Sequence, residues 1–223
     1  MFKIIACLNG IALILIILFT SIEIPAYDLN FYKRQYAKLN TAQYMGISED
    51  HLMLVTAHLI DYMRGSNDDL TVFVNIHGVN REFFNQREKD HMVDVKDLFI
   101  LGTNIRNLLI IVFLATIVLL AYKKELHILP ITYLFVFLAF LAIVGGLGIL
   151  IATDFNKYFT IFHEIFFSND LWILDPRTDL LINLVPLQFF INISLYILFV
   201  LIGFIVLIIA SCLFLKRPKP PSA

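Results

Sequence analysis

Two histidines stand in polar segments that border long apolar ones, His91 in REKDHMVDVK and His163 in FHEIFFSND. An imidazole titrates near neutral pH, so it can accept and return a proton without a metal ion, as acyl or proton transfer requires. For either histidine alone, an ordinary surface position is the alternative, but the two together favour a functional pair. Asp94 follows His91 by three residues on a predicted helix, so its carboxylate can lie beside the imidazole and fix the tautomer, although such pairs also occur on ordinary helix surfaces.

The sequence around these histidines does not complete a known metal or nucleophile motif. His163 and Glu164 begin the zinc-protease pattern, but Phe167 occupies the place of the second histidine. The sequence contains neither a glycine-rich phosphate loop nor a Gly-x-Ser-x-Gly elbow. Zinc held by two histidines and distant carboxylates stays an alternative. We expect no metal and no cofactor.

The remaining polar candidates are open to two interpretations. His51, His58 and His77 are expected to be structural or solvated. The segment NDLWILDPRTD contains four charged side chains that could form an ion-pair network shaping a cleft: Asp170, Asp175, Arg177 and Asp179. Equally, the pair Asp175-Pro176 could simply form a turn.

The composition indicates that a membrane positions these groups. Of 223 residues, 59% are hydrophobic and only 16% are charged, and the mean hydropathy is +0.81. Such values nearly exclude a water-soluble globule. The 17 Lys and Arg residues balance 18 Asp and Glu residues, so the sequence gives no sign of a nucleic-acid partner.

Four apolar runs are long enough to cross the bilayer as helices. We therefore predict a mainly α membrane protein, with four transmembrane helices, a small α+β extracellular domain and a second, interfacial extracellular segment. The predicted division is a first transmembrane helix at 1–24 with a cytoplasmic N-terminus, an extracellular domain at 25–100, a second helix at 101–122, a cytoplasmic loop at 123–128, a third helix at 129–152, an extracellular interfacial segment at 153–189, a fourth helix at 190–215 and a cytoplasmic tail at 216–223.

The orientation follows from the basic residues beside the apolar runs. Lys3, the pair Lys123-Lys124 and the tail residues Lys216, Arg217 and Lys219 all fall on one face if the chain crosses four times. The positive-inside rule assigns that face to the cytoplasm. Both polar segments, and with them both histidines, are then expected outside the cell. The external segments contain no cysteine, so we expect no disulfide there.

Within the first external segment, Ser48 is a good N-cap for a helix that ends near Arg64, followed by a strand from Leu70 to Ile76. The sequence FFNQREKDHMVDVKDLFI then returns to helical period and is expected to lead straight into the second span. The segment 153–189 mixes aromatic and charged side chains, which is typical of short helices lying along the membrane interface.

The two histidine segments together resemble those of a known family. REKDHMVDVKDLF before the second span and FHEIFFSNDLWILDPRTDLLINLVPLQFF before the fourth are similar to the corresponding segments of the bacterial lipoprotein intramolecular transacylases, which are integral membrane enzymes of Gram-positive bacteria. The resemblance covers nearly the whole chain, including four spans, a large first external segment and a smaller second one.

The resemblance implies a specific reaction. The family moves the sn-2 acyl chain of a diacylglyceryl-cysteine to the α-amino group of that cysteine, which gives the lyso-form lipoprotein. Its two essential external histidines correspond by motif to His91 and His163 here, and we expect His163 to be the principal base. A covalent acyl-histidine intermediate is an alternative to direct transfer. The residues expected to support catalysis or contact the substrate are Asp94, Glu164, Asp170, Trp172, Arg177 and Asp179.

The expected partners are diacylglyceryl-modified lipoproteins and membrane lipid, in a bacterial cell membrane that the chain crosses several times, with the active site facing outward. The main alternative is a non-enzymatic sensor or assembly factor whose external domain binds a partner. A transporter is disfavoured by the near absence of charge within the spans. A membrane protease is disfavoured by the incomplete zinc motif. The sequence does not indicate an oligomeric state.

Overall fold

The computed structural model describes residues 1–215, so the predicted tail at 216–223, with Lys216, Arg217 and Lys219, lies outside the described residues. The chain is mainly helical. Its elements are α1 (Phe2–Ala26), α2 (Leu29–Leu39), α3 (Thr41–Met45), α4 (Glu49–Met63), β1 (Phe73–Ile76), β2 (Val79–Glu82), α5 (Gln86–Tyr122), a 3-10 turn (Leu126–Ile128), α6 (Leu129–Thr153), α7 (Phe155–Phe166), α8 (Leu181–Leu184) and α9 (Leu187–Leu215).

Four of these helices, α1, α5, α6 and α9, are long and apolar enough to cross a membrane. Many of their apolar side chains are exposed in the isolated chain. Phe135, Ile149 and Phe199, for example, keep 67%, 72% and 75% of their surface exposed. Water would penalise so much exposed apolar surface, whereas lipid chains would not. These helices are therefore suited to contact lipid directly.

The chain divides into two compact units. The first, the helical unit, contains residues 1–22, 103–153 and the described residues from 197 onward. Its core is formed by aliphatic residues of α1 and α9 around Phe137 of α6: Ile14, Ile17, Leu201 and Ile205. Because these side chains come from three helices, their packing ties distant parts of the sequence together.

One polar cluster lies inside the helical unit. Asn9 of α1 is fully buried, and its amide nitrogen donates to the Phe113 carbonyl at 3.0 Å and to the Thr116 hydroxyl at 2.7 Å, both on α5. Its amide oxygen accepts from the Tyr133 hydroxyl of α6. Interhelical hydrogen bonds of this kind stabilise helix association in lipid. The cluster, hereafter the Asn9 cluster, joins α1, α5 and α6.

The second unit, the polar unit, contains residues 23–102 and 154–196. Its helices α2 and α4 begin at side chains that accept free backbone N–H groups, as capping requires. Asp28 accepts from the Asn30 N–H at the start of α2, and Ser48 accepts from the His51 N–H at the start of α4. The predicted helix from Ser48 is thus confirmed. The buried face of α4 presents Leu52, Val55 and Leu59.

The polar unit also contains a β-hairpin, of which only the first strand was predicted. The predicted strand ending at Ile76 is present but begins at Phe73, and it pairs antiparallel with a second strand, Val79–Glu82, that was not predicted. His77 and Gly78 connect the strands with φ of 51° and 85°. Two consecutive positive φ values are what a tight hairpin connection needs. The second strand was missed because VNRE lacks the alternating apolar pattern.

Helix α5 begins with a reciprocal cap. The Asn85 side chain accepts the Glu88 N–H at 3.0 Å, while the Glu88 carboxylate accepts the Asn85 N–H at 2.7 Å. From this cap the helix runs 37 residues, so the prediction that the His91 segment leads directly into the second apolar span is confirmed. The short helices predicted after the third span are also present, as α7 and α8.

Candidate active site

The two candidate histidines meet within the polar unit although 71 residues of sequence lie between them. The ring of His91, in the polar first turns of α5, lies 6.3 Å from the ring of His163, in the last turn of α7. Both side chains are largely buried, with 7% and 9% of their surface exposed. The two histidines, from distant segments of the sequence, thus form one pair.

The tautomer of His163 follows from its hydrogen bond. Its Nδ1 lies 2.6 Å from the backbone carbonyl oxygen of Phe159. Because a carbonyl oxygen can only accept, Nδ1 must carry the hydrogen, and the lone pair of the neutral ring is then on Nε2. The aromatic residues around this imidazole are Phe159, Phe162, Phe167 and Trp172, of which Trp172 stacks on it at 4.9 Å. His163 is therefore held as a base whose Nε2 is the accepting atom.

His91 differs from His163 because its Nδ1 is buried without a hydrogen-bond partner. Such an atom forfeits its hydrogen bond to water, which costs about 1–3 kcal/mol. Burial, reinforced by His163 and Arg87 and opposed by Asp94, lowers the pKa of His91 to about 4. Burial also lowers the pKa of His163, against the bond to Phe159. Both rings are consequently uncharged at neutral pH and able to accept a proton.

Asp94 does not fix the tautomer of His91, contrary to what the sequence suggested. Its carboxylate instead accepts from the side-chain amide of Asn169 at 2.8 Å, and no hydrogen bond joins it to His91 within residues 1–215. Asn169 also accepts the indole N–H of Trp172 at its backbone carbonyl. Asn169 therefore links the α5 turn after His91 to the indole that stacks on His163.

Asp179 and Glu88 connect the start of α5 with the segment before α9. Asp179, 5% exposed, accepts the Asn85 side-chain amide at 2.8 Å. Glu88 is fully buried and accepts the backbone N–H of Leu181 in addition to that of Asn85. Burial raises the pKa of Glu88, against the hydrogen bonds that it accepts. These bonds hold α5, one turn before His91, against residues more than 90 positions later.

The other predicted site residues lie at the surface. Asp170 forms an exposed ion pair with Arg87 at 3.8 Å. Arg177 pairs with Asp175 two residues away, and its guanidinium holds the pKa of that carboxyl down at about 2. Asp175 also accepts the Arg177 N–H, so the turn anticipated at Asp175 occurs, whereas the anticipated network of four charged residues is reduced to the local pair Asp175–Arg177. Glu164 is exposed. Pairs this exposed contribute little to stability.

Sequence reasoning missed three groups that the structure places at the site: Glu88, Asn169 and the Phe159 carbonyl. The spacing Asn85-x-x-Glu88 resembles a capping box and could have identified the first. No local pattern marks the other two, because their roles depend on partners from distant segments. Within residues 1–215, no group of three His, Cys, Asp or Glu side chains could hold a metal ion.

A cleft with a volume of about 250 Å³ includes Phe167, and neither His91 nor His163 is among its lining residues. Its lining comes from one face of α5 and from the end of α7 with the residues that follow: Asp94, Asp97, Leu98, Leu101, Phe166, Phe167, Ser168 and Asn169. Phe167 belongs to both features, because its ring lies 5.3 Å from that of His91 and 5.6 Å from that of His163.

Comparison with known proteins connects this geometry to one family. The family model of "Lipoprotein intramolecular transacylase Lit" matches residues 7–190. A solved structure of the membrane integral lipoprotein intramolecular transacylase Lit from Bacillus cereus is similar with a TM-score of 0.82 and 22% identity, over 96% of this chain and 95% of that one. Two variants of that protein, with a histidine replaced by arginine or by alanine, give TM-scores of 0.78 at 22% identity, over 96% of this chain and 92% and 93% of theirs. No curated protein sequence matches significantly.

Proposed function

Because the chain belongs to the lipoprotein intramolecular transacylase family, we propose that it transfers the sn-2 acyl chain of a diacylglyceryl-modified lipoprotein to the α-amino group of the same terminal cysteine. The observation that supports this most directly is the pair His91 and His163, uncharged and 6.3 Å apart within an aromatic surround. Two neutral imidazoles at this separation can serve one amine and one ester.

The proposed reaction needs only proton transfer and positioning. The nitrogen lone pair of the amine attacks the ester carbonyl carbon, a C–N bond forms, and the C–O bond to the glyceryl oxygen breaks. The amine gives up a proton, and the departing oxygen gains one, so the products are an amide and a hydroxyl with no net change in charge. General acid-base catalysis of this kind contributes about 10²–10⁴-fold to rate.

We assign His163 as the base that accepts the proton from the amine. Its Nδ1–H is committed to the Phe159 carbonyl, so Nε2 is the atom that receives the proton. Protonation places a positive charge beside the stacked ring of Trp172, whose π-face favours cations. Trp172 therefore offsets part of the charge that develops during the reaction. This supports His163 as the principal base and Trp172 as a residue that stabilises its protonated form.

His91 is assigned as the partner of His163. No hydrogen bond joins the two rings within the described residues, so neither imidazole is the hydrogen-bond partner of the other. The unpartnered Nδ1 of His91 gains a partner once a polar substrate group enters. Among the other predicted residues, Asp94 and Asp179 act by position through Asn169 and Asn85, whereas Glu164, Asp170 and Arg177 are proposed only as surface contacts.

Intramolecular positioning supplies the rest of the proposed rate. Donor and acceptor belong to one molecule, so the enzyme mainly has to fold the lipid end of the substrate until the amine reaches the carbonyl. Such orientation can be worth about 7–11 kcal/mol. Direct transfer needs no acyl-enzyme, and an acyl-histidine intermediate is a second route that trapping with hydroxylamine would reveal.

We further propose that the site faces the outside of a Gram-positive cell membrane. Lys3, Lys123 and Lys124 lie next to the ends of the apolar runs that are not joined in sequence to the polar segments, and the positive-inside rule assigns these ends to the cytoplasm. Single cysteines introduced at Asp170 and at Lys124 test this. A membrane-impermeant maleimide should label intact cells at position 170 only, and the reverse labelling would contradict the orientation.

Mass spectrometry of lipoprotein amino-terminal peptides tests the function. Cells that express the chain should contain N-acylated, mono-acylglyceryl peptides that are absent without it. His163→Ala and His91→Ala, at wild-type expression, should leave the diacyl form unconverted, whereas His58→Ala should convert normally. Unchanged lipoprotein masses with the wild-type chain would instead favour the non-enzymatic sensor or assembly factor.

A further inference from the structure

The segment that follows α7 folds into a tight turn around the only tryptophan of the chain. The backbone carbonyl of Asp170 accepts the Ile173 N–H at 3.1 Å, which closes the turn. The backbone carbonyl of Asn169 accepts the indole N–H of Trp172 at 3.0 Å. These bonds fix the indole relative to its own backbone. Residues 169–173 are hereafter the Trp172 turn.

Two side chains of α5 bind this turn, one on each side of His91. Arg87 donates to the backbone carbonyl of Asp170, and Asp94 accepts the side-chain amide of Asn169 at 2.8 Å. Arg87 precedes His91 by four residues and Asp94 follows it by three, so all three lie on one face of the helix. The turn is thus attached to α5 at two points that flank His91.

The indole of the turn lies on the imidazole of His163. The rings of Trp172 and His163 are stacked at 4.9 Å, with an angle of 28° between their planes. The face of an indole attracts cations, so this stack favours the protonated form of the imidazole. The position of Trp172 therefore influences how readily His163 accepts a proton.

The first residues of the turn are open to solvent. Asn169 and Asp170 are exposed, and the side chain of Asp170 keeps 79% of its surface accessible. Segments with little apolar burial have low local stability. The position of the turn therefore depends on its hydrogen bonds, and the bonds to Arg87 and Asp94 connect it to a long helix.

We propose that Arg87 and Asp94 are positioning residues for His163, because they hold the turn against α5 and so keep the indole stacked on the imidazole. Arg87 acts through the backbone carbonyl of Asp170, and Asp94 acts through Asn169. This inference rests on the proposed function, since it concerns the base of that reaction. It adds Arg87 and Asn169 as residues that determine the rate through another side chain.

Exchanging the donor and the acceptor of one attachment tests the proposal. Asn169→Asp sets two carboxylates against each other, so the bond to Asp94 is lost, whereas the new side chain still accepts the Leu171 N–H as Asn169 does at 3.0 Å. The double variant Asp94→Asn/Asn169→Asp places the donor on α5 and the acceptor in the turn, with the total charge of the wild-type chain. The single variant should release the turn, and the double variant should restore it.

NMR of the full chain in detergent measures the contact itself. Isotopic labelling at Cε1 of the six histidines gives one Hε1 signal for each ring, and His163→Leu identifies the signal of His163. At pH 8 both imidazoles of the pair are uncharged, so protonation does not move their signals. The ring current of a stacked indole shifts the His163 signal upfield, and Trp172→Leu gives its position without the indole. Asn169→Asp should move the signal most of the way to that position, and the exchanged pair should return it.

Turnover should follow the chemical shift. Asn169→Asp and Trp172→Leu should each lower kcat by about tenfold, the size expected when a cation–π contact is lost from a desolvated site. KM should change little, because the contact strengthens only when the imidazole is protonated. The exchanged pair should regain most of the wild-type kcat. Asn80→Asp is the matched control, since it adds the same charge at an exposed position of β2, and it should change neither kcat nor the His163 signal.

Arg87→Met tests the second attachment and decides the question if Asn169→Asp does not fold. It should move the His163 signal part of the way and lower kcat by about threefold, because the bond between Asp94 and Asn169 remains. The ion pair that Arg87 forms is exposed, so the unfolding temperature should barely change. Arg81→Met removes the same charge from an exposed position of β2 and should leave signal and kcat unchanged.

Three results would overturn the proposal. One is an unmoved His163 signal in Asn169→Asp and Arg87→Met, and another is a signal that the exchanged pair does not restore. The third is wild-type kcat in a variant whose signal has moved, because the indole would then not matter to the base. The signals need no turnover, whereas lipoprotein masses report the proposed function. Normal conversion with an unmoved signal would therefore refute the positioning role alone.

Discussion

The Asn9 cluster and the histidine pair are two buried polar groups in one chain, and they differ in how completely their atoms are hydrogen-bonded. Asn9 bonds through both amide atoms, to three residues on two other helices. His91 leaves Nδ1 unpaired at comparable burial. A satisfied buried group stabilises the fold, whereas an unsatisfied one reduces stability and persists where a ligand supplies the missing partner.

The comparison also shows that an unpartnered atom is not sufficient. Nδ1 of His51 is likewise buried without a partner, on α4. Among the ring contacts within residues 1–215, His51 has none with His163 or Phe167, whereas His91 contacts both. What distinguishes His91 is that a second imidazole, that of His163, lies 6.3 Å from its ring.

Replacing either histidine of the pair by leucine should have the largest effect on turnover. His91→Leu and His163→Leu should each lower kcat about 10²–10⁴-fold, because a proton acceptor is lost. His91→Leu should leave the thermal unfolding temperature unchanged or raised, since an apolar side chain of similar size replaces an unsatisfied polar one. Transacylation of a purified diacyl lipopeptide and thermal unfolding in detergent measure the two effects.

His51→Leu is the control for this pair, and it should retain wild-type kcat. If His51→Leu lost as much activity as His91→Leu, the loss would be explained by the stability of the polar unit. An unpaired Nδ1 would then not indicate a catalytic role. Wild-type kcat in His91→Leu would remove that residue from the mechanism.

Glu88 allows the same comparison within the polar unit. Its carboxylate is buried and hydrogen-bonded only one turn before His91. Glu88→Ala should lower the free energy of unfolding by about 3 kcal/mol, since the backbone N–H groups of Asn85 and Leu181 lose their acceptor. Glu88→Gln keeps one acceptor oxygen, leaves one of the two N–H groups without an acceptor and should cost less, about 1–2 kcal/mol. Chemical denaturation in detergent measures both.

The activity of the Glu88 variants sharpens the assignment. If Glu88 acts by holding α5, Glu88→Gln should retain most of the wild-type kcat per folded molecule. A large loss of kcat in Glu88→Gln, with stability preserved, would assign Glu88 a direct part in proton transfer.

Asn9→Leu is the converse of His91→Leu. It should lower the unfolding free energy by about 1–2 kcal/mol, because Tyr133 and Thr116 lose partners in an apolar surround. The folded protein should keep its wild-type kcat. A lowered unfolding temperature with normal turnover per folded molecule supports the contrast, whereas normal stability with lost turnover would reverse it.

The contrast also explains what the sequence could and could not predict. Four apolar spans, the helix from Ser48 and the continuous helix through His91 follow from composition, capping and period, which are local properties. The meeting of His91 and His163 was predicted from family resemblance and not from spacing. The bonds of Glu88 to Leu181 and of Asn169 to Asp94 span 93 and 75 residues, and such pairings depend on tertiary packing that no local pattern encodes.

The β-hairpin illustrates the same limit on a smaller scale. Its first strand, FVNI, alternates exposed and buried residues and was predicted in part. Its second strand, VNRE, is exposed or half-buried throughout, so its apolar pattern carries no signal. Pairing with the first strand and the positive φ values at His77 and Gly78, not side-chain burial, determine its conformation.

The pH dependence of turnover gives the smallest expected effect and tests the histidine side of the comparison directly. Protonation removes the lone pair that a base needs, and burial lowers the pKa of both imidazoles, that of His91 to about 4. The substrate amine, with a pKa near 8, lowers kcat/KM below pH 8 whatever the enzyme does, so the limb of the enzyme is read from kcat/KM divided by the fraction of neutral amine. That limb should lie below the ordinary histidine pKa of about 6.5. Between pH 7 and pH 6, kcat/KM divided by the fraction of neutral amine should therefore fall less than it would with a base of the ordinary histidine pKa of about 6.5, which would lose about threefold. An acid limb at pH 6.5 would mean that the imidazole that accepts the proton is solvated in the working enzyme. A buried histidine would then not be the base.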